Sequence, residues 1–235
     1  AERLACPYAV YGQDFMAHEE YGRLVYQDEF GLADLPLPRL PGRHQYANAA
    51  AAIRAVKATG LPVTEQAMEI GLSRVEWPGR LQRLMDGALA QLAPRGSEIW
   101  VDGGHNPGAG QVIAETMANF EEREARPLFL VTGMINTKDP VGYFEPFGGL
   151  AERVFTVPIR GSDAGLDPVA LAGDAARAGL EAEPLSTVGE ALVEIGRITA
   201  EDAVPPRILI TGSLYPLRGG VAPNSTPPPP QQKNP

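Results

Sequence analysis

The sequence predicts an α/β protein whose second half is a mostly parallel sheet covered on both faces. Three observations predict it. From about residue 98 onward, apolar runs alternate regularly with helical stretches. Those runs are continuously apolar rather than alternating, as in PLFLVTGM (Pro127 to Met134) and RILITGS (Arg207 to Ser213), so both sides of each strand are buried. Glycine-containing turns follow the strands, where ligands bind in parallel sheets. The divisions expected are 1–77, 78–220, and a proline-rich tail at 221–235.

The elements follow in chain order. VYGQDF (Val10 to Phe15) and RLVYQDEF (Arg23 to Phe30) are rich in aromatic and β-branched residues and predict a small antiparallel element. LPLPRLPG (Leu35 to Gly42) carries three prolines and reads as an extended connector. His44 to Thr59 is alanine-rich, has no internal Gly or Pro, and stops at Gly60-Leu61-Pro62, which makes it a helix. Thr64 is placed to cap a second helix ending near Gly71. Trp77-Pro78-Gly79-Arg80 is a rigid turn and a candidate hinge. RLQRLM (Arg80 to Met85) and EIWVDG (Glu98 to Gly103) read as strands. A helix then runs from about Pro107 to Phe120. The strand Pro127 to Met134 precedes a helical stretch from Pro140 to Glu152, and RVFTVPI (Arg153 to Ile159) is the next strand. A helix over Pro168 to Ala178, a weak strand near Pro184, a helix over Val188 to Thr199 and the strand Arg207 to Ser213 complete the series.

Composition excludes several functions. The 235 residues are 44% apolar and 21% charged, enough for a core and too apolar for wholesale disorder. Acidic residues outnumber Lys plus Arg by 29 to 20, a formal net charge of −9. Neither nucleic acid nor an anionic membrane is an expected partner. No apolar run approaches the ~20 residues a membrane span needs. Cys6, the single cysteine, fits a reducing, cytoplasmic compartment, and His18, His44 and His105 are too scattered for a zinc cluster. The sequence opens at Ala1 without a leader and closes in PNSTPPPPQQKNP (Pro223 to Pro235). A fragment with an unfolded, polyproline-like tail is expected.

DGGHNPGAG (Asp102 to Gly110) is the most informative stretch. It follows a strand and opens a helix, with Pro107 suited to the first helical position. Asp102 at the strand tip suits a ribose diol, and His105 can donate to a carboxylate or phosphate. The same residues also read as a bare βα turn. The third glycine of G-x-G-x-x-G is absent, with Ile113 in its place, which disfavours a nicotinamide enzyme. No G-x-x-x-x-G-K-[ST] occurs, so the sequence as given holds no P-loop. GMINTKD (Gly133 to Asp139) places Lys138 beside Asp139, either as a site pair or as solvated charges. In TGSLY (Thr211 to Tyr215), Ser213 suits a substrate or a helix cap. Arg80 suits a phosphate or plain solvent.

Five stretches in order carry a resemblance: GRHQYANAAAAIRA (Gly42 to Ala55), WPGRLQ (Trp77 to Gln82), DGGHNP (Asp102 to Pro107), GMINTKD and ILITGSLY (Ile208 to Tyr215). Together they resemble the folylpolyglutamate synthase and dihydrofolate synthase family, a branch of the Mur ligases, over about residues 1–215. The resemblance implies a Rossmann-like ligase domain preceded by the last part of an ATPase domain. It implies ATP, Mg2+, L-glutamate and folate or dihydropteroate as small-molecule partners, with a monomer as the working form. Asn48, Arg80 and Asp102 match the family's ATP contacts. His105 and Lys138 match catalytic positions, and His105, Asp139 and Ser213 the substrate side. The P-loop, metal ligands and modified lysine of the family fall in an N-terminal part not in this sequence. After Ser213-Leu214-Tyr215, Pro216 departs from the apolar helix usual in the family. Two other readings stay open: a Mur-type amide ligase for another precursor, and a non-catalytic nucleotide-binding module.

Overall fold

A computed structural model of the chain describes Arg3 and residues 6–136, 138–159 and 163–213. The expected tail at 221–235 and the Leu214–Tyr215 part of the last motif lie outside these residues. Contacts divide the chain into two compact units. The first comprises Ala1–Gln82 with Gln111–Arg123, and the second Arg83–Gly110 with the chain from Glu124 onward.

The first unit begins with an antiparallel meander, β1 (Phe15–Glu20), β2 (Arg23–Asp28) and β3 (Gly31–Pro36). Its first strand starts where the expected strand Val10 to Phe15 ends. Gly12 at φ +83° and the bond from Val10 N–H to the Asp14 carboxylate turn the chain over those residues instead. β3 was not expected. Its proline, Pro36, ends the strand at the edge of the sheet, opposite Arg23, where a missing N–H is tolerated. Two helices follow. α1 (His44–Ala58) buries Ala49, Ala50 and Ile53 against Phe15, Leu24, Tyr26 and Leu35. α2 (Glu65–Arg74) is capped by Thr64 through the Ala67 N–H and runs past Gly71.

The second unit is a six-stranded sheet of order β4-β5-β9-β6-β7-β8. Its strands are β4 (Gln82–Arg83), β5 (Glu98–Val101), β6 (Leu128–Gly133), β7 (Ala151–Thr156), β8 (Ala182–Pro184) and β9 (Arg207–Gly212). The pairs β5–β9, β9–β6, β6–β7 and β7–β8 are all parallel. The helices are α3 (Ala88–Leu92), α4 (Pro107–Arg123), of which only the start up to Gly110 belongs to this unit, α5 (Pro140–Phe144), α6 (Pro168–Arg177) and α7 (Val188–Ile198). On one face, α7 buries Ala191, Leu192 and Ile195 against Val101, Ile210, Val131 and Phe155. Two stretches differ from expectation. The strand at Arg80 to Met85 shrinks to two residues, and α3 follows it. The helical stretch Pro140 to Glu152 stops at a 3-10 turn, Glu145–Phe147, because Gly149 at φ +72° reverses the chain into β7.

The strand order decides which loops become neighbours. β9 is last in sequence yet sits between β5 and β6. In a parallel sheet the loops after the strands share one edge, so three motifs far apart in sequence become neighbours there.

Candidate active site at the strand tips

Asp102 directly follows β5. It is 6% exposed, and its backbone N–H donates to Ile210 O (3.0 Å), which extends the β5–β9 pairing by one residue. One carboxylate oxygen accepts the Gly104 N–H at 2.6 Å. His105 is half-buried, with Nδ1 2.8 Å from Gly103 O. A carbonyl only accepts, so Nδ1 carries a proton and Nε2 is the acceptor of the neutral ring. Asn106 caps α4 through the Ala109 N–H (3.0 Å). One glycine of this motif, Gly110, has a packing reason. A Cβ on Gly110 would lie 2.3 Å from the carbonyl oxygen of Tyr143.

The loop after β6 carries Met134, fully buried, and then Lys138, half-buried. Asp139 is exposed and caps α5 by accepting the Gly142 N–H (3.1 Å). The third tip is that of β9. Gly212 takes φ +106°, and the Ser213 N–H donates to Gly133 O (2.9 Å) across to β6. Ser213 is 6% exposed, and its hydroxyl has no hydrogen-bond partner among the described residues. A buried hydroxyl without a partner is costly, so Ser213 is a group waiting for one.

Register adds a feature that sequence reasoning missed. Thr211 is level with Thr132 on β6, and Thr132 with Thr156 on β7. Asp102, one residue beyond the Val101–Ile210 pair, comes level with Thr211. A polar row therefore crosses the end of the sheet. Thr211 Oγ1 is 2.6 Å from the Tyr143 hydroxyl and 3.3 Å from Gly104 O. Burial pushes the Tyr143 phenol above its ordinary pKa, and the nearby Asp102 charge adds to this.

The first unit holds the other two expected nucleotide contacts. Asn48 is exposed on α1 and donates to Gln45 Oε1 (3.0 Å). Arg80 is exposed in the turn after Trp77, between two residues of positive φ, Gly79 (+73°) and Leu81 (+40°). Leu81 is buried, so the packing holds a strained backbone next to Arg80. Asn48, Trp77 and Arg80 line one cavity of ≈ 610 Å³, whose other walls are mainly apolar residues such as Ala52, Met68 and Leu72. An apolar cavity with an amide and a guanidinium suits a flat heterocycle carrying an anion.

Among the described residues, no group of three or more His, Cys, Asp or Glu side chains comes together to hold a metal ion. The described residues therefore do not make a carboxylate-rich Mg2+ site. No helix among them is long and apolar enough to cross a membrane.

No family model matches the chain. The folylpolyglutamate synthase of Lacticaseibacillus casei is 28% identical over 198 residues, 82% of this chain and 41% of that protein. Mycobacterium tuberculosis folylpolyglutamate synthase, solved with ADP, is 25% identical with a TM-score of 0.70, covering 87% of this chain and 46% of that one. The bifunctional folylpolyglutamate synthase/dihydrofolate synthase of Yersinia pestis shares the fold with a TM-score of 0.71 at 21% identity, over 92% of this chain and 47% of that one. The chain's curated and structural relatives are thus folylpolyglutamate and dihydrofolate synthases, which it matches over less than half of their length.

Proposed function

We propose that this chain supplies the nucleoside and glutamate side of an ATP-dependent ligase that joins L-glutamate to folate or dihydropteroate. The observation that carries this is the adjacency of three tips, Asp102–His105, Lys138 and Ser213, at the ends of β5, β6 and β9. The ATP side also fits similar structures, one solved with ADP and another with Mn, AMPPNP and L-glutamate.

The reaction has two balanced steps. The acceptor carboxylate takes the γ-phosphoryl group of ATP, giving an acyl phosphate and ADP. The glutamate amine then attacks the acyl carbon, phosphate leaves, and the amine proton is lost as the amide forms. Asp102, a carboxylate at the tip of β5, suits a ribose hydroxyl. Asn48 reads the adenine edge and Arg80 holds a phosphate. His105 Nε2, on a ring fixed through Nδ1, accepts a proton or, when protonated, stabilises the phosphate or the glutamate carboxylate. Lys138 offsets charge on the acyl phosphate, and Asp139 and Ser213 bind the glutamate. Grip on the β- and γ-phosphates and on Mg2+ comes from residues outside this sequence, which holds no P-loop motif. The unit acts as a monomer in a reducing cytoplasm, with no nucleic acid or membrane partner.

The test is an NMR titration of the chain with ATP. Residues 102–105 should shift, and Asp102→Asn should weaken binding by about tenfold, the worth of a charge-assisted hydrogen bond. The chain alone should release no phosphate from ATP with folate and glutamate. A chain that shows no shift at residues 102–105, or an Asp102→Asn variant that binds as wild type, contradicts the proposal.

A further inference from the structure

We propose that Tyr143 and Thr211 are positioning residues, whose hydroxyls form a one-way relay that holds the Asp102–His105 loop in its binding shape. The proposal rests on the reading of that loop as a nucleoside site.

The direction of the relay follows from counting protons. Gly104 O can only accept, so the Thr211 hydroxyl spends its single proton there (3.3 Å). The contact of 2.6 Å between Tyr143 and Thr211 must then be donated by the phenol. Tyr143 is fully buried, which keeps that proton in place.

Gly104 is the pivot. Its N–H is held by Asp102 and its carbonyl by Thr211. Turning the two peptide units that meet at Gly104 breaks both bonds, releases this hold on the Asp102 carboxylate and swings His105, the next residue. Tyr143 also meets the far end of the motif, because its carbonyl lies where a Cβ on Gly110 would be. One residue of α5 therefore fixes the DGGHNPGAG stretch at both ends. Filling space does not require the hydroxyl. Phe144 and Phe147 beside it are equally buried and have none, and a buried phenol is favourable only when its O–H is used.

Three variants of the chain test this: Tyr143→Phe, Thr211→Val and Thr211→Ser. The first readout is amide hydrogen exchange by NMR, which needs no ligand. Tyr143→Phe and Thr211→Val should speed exchange at residues 103–105 by about three- to tenfold, the net worth of one hydrogen bond, with β6 amides unchanged. Thr211→Ser keeps the hydroxyl and should exchange as wild type. The second readout is the affinity for ATP against 2′,3′-dideoxy-ATP. Tyr143→Phe should weaken ATP by a similar factor and leave the dideoxy analogue unaffected, because the loop acts through the ribose contact. Exchange that is unchanged at 103–105, or that rises equally in β6, overturns the relay. A wild-type chain that binds ATP and its dideoxy analogue alike overturns the nucleoside reading instead.

Discussion

Gly212→Ala should be among the most damaging single-methyl additions available in this chain. Gly212 ends β9 at φ +106°, a backbone conformation that an L side chain rarely adopts. A Cβ there would sit 2.1 Å from Gly133 O and 3.0 Å from Thr132 Oγ1. The obstacle is the backbone of the paired strand, so no flexible side chain can give way. The same Gly133 oxygen accepts the Ser213 N–H, and pushing the strands apart breaks that bond as well. Backbone strain costs roughly 1–3 kcal/mol and overpacking a similar amount, so the loss should be about 3–5 kcal/mol. That is a large fraction of the roughly 5–15 kcal/mol that holds a domain together. Urea unfolding followed by fluorescence in a Trp77→Phe background reports the unit directly, because the remaining Trp100 lies on β5 beside β9. Gly173→Ala is the control: it is mid-helix in α6, exposed, and its Cβ would meet nothing within 4 Å. It should stabilise by about 0.5–1 kcal/mol. If Gly212→Ala loses less than about 1 kcal/mol, the strand tips are looser than the close Gly133–Gly212 approach requires, and the steric reasoning fails.

Acid should destabilise both units. Burial pushes the Asp28 carboxyl up, but hydrogen bonds from Lys57, Tyr26 and the Phe30 N–H outweigh it and hold the group below its ordinary value. Glu98 is likewise raised by burial and lowered further by Arg207 and Arg83. Each binds fewer protons folded than unfolded, so its contribution is complete above about pH 5 and is lost as pH falls through the lower folded value. Urea midpoints should fall steeply below about pH 4, and Asp28→Asn should flatten the fall in the first unit; an unaltered slope would count against this assignment. Thr132→Val removes a fully buried hydroxyl that has no hydrogen-bond partner among the described residues, at nearly constant shape. It should raise stability by about 1 kcal/mol, whereas loss of stability in that variant would mean that the hydroxyl is engaged after all.

The α/β alternation was readable because each strand of the main sheet is a short apolar run and several helices announce their starts. Thr64 caps α2, Asp167 caps α6 and Thr187 caps α7, each a residue type whose side chain competes for the first N–H groups. The five motifs were readable for the same local reason. Pairings between distant residues were not. Nothing around Tyr143 marks it as the partner of a threonine 68 positions later. Nothing near Gly133 shows that Gly212 will press against it. β3 escaped notice because Pro36 suggested a connector, although an edge strand can end on proline. The helix expected through Glu152 failed on Gly148 and Gly149, whose turn outweighs the apolar pattern before it.

The chemistry of the sheet changes over a single step of register. On the face that carries Thr211, one row consists of Trp100, Leu209, Leu130 and Val154, all apolar. Two residues further along each strand, the next row is Asp102, Thr211, Thr132 and Thr156, all buried and all polar. A scaffold selected only for packing would continue with valine, since each buried hydroxyl must find a partner to offset its desolvation. Three of the four are bonded: Asp102 to Gly104, Thr211 to Tyr143 and Gly104, and Thr156 to Pro168 O. Every one of those partners lies in a loop or helix beyond a strand end. The polar row therefore anchors the loops to the sheet, and the loop that receives two of its members is the one carrying Asp102 and His105. Rigid strands fix the row, the row fixes Gly104, and Gly104 fixes the two side chains proposed to meet the substrates.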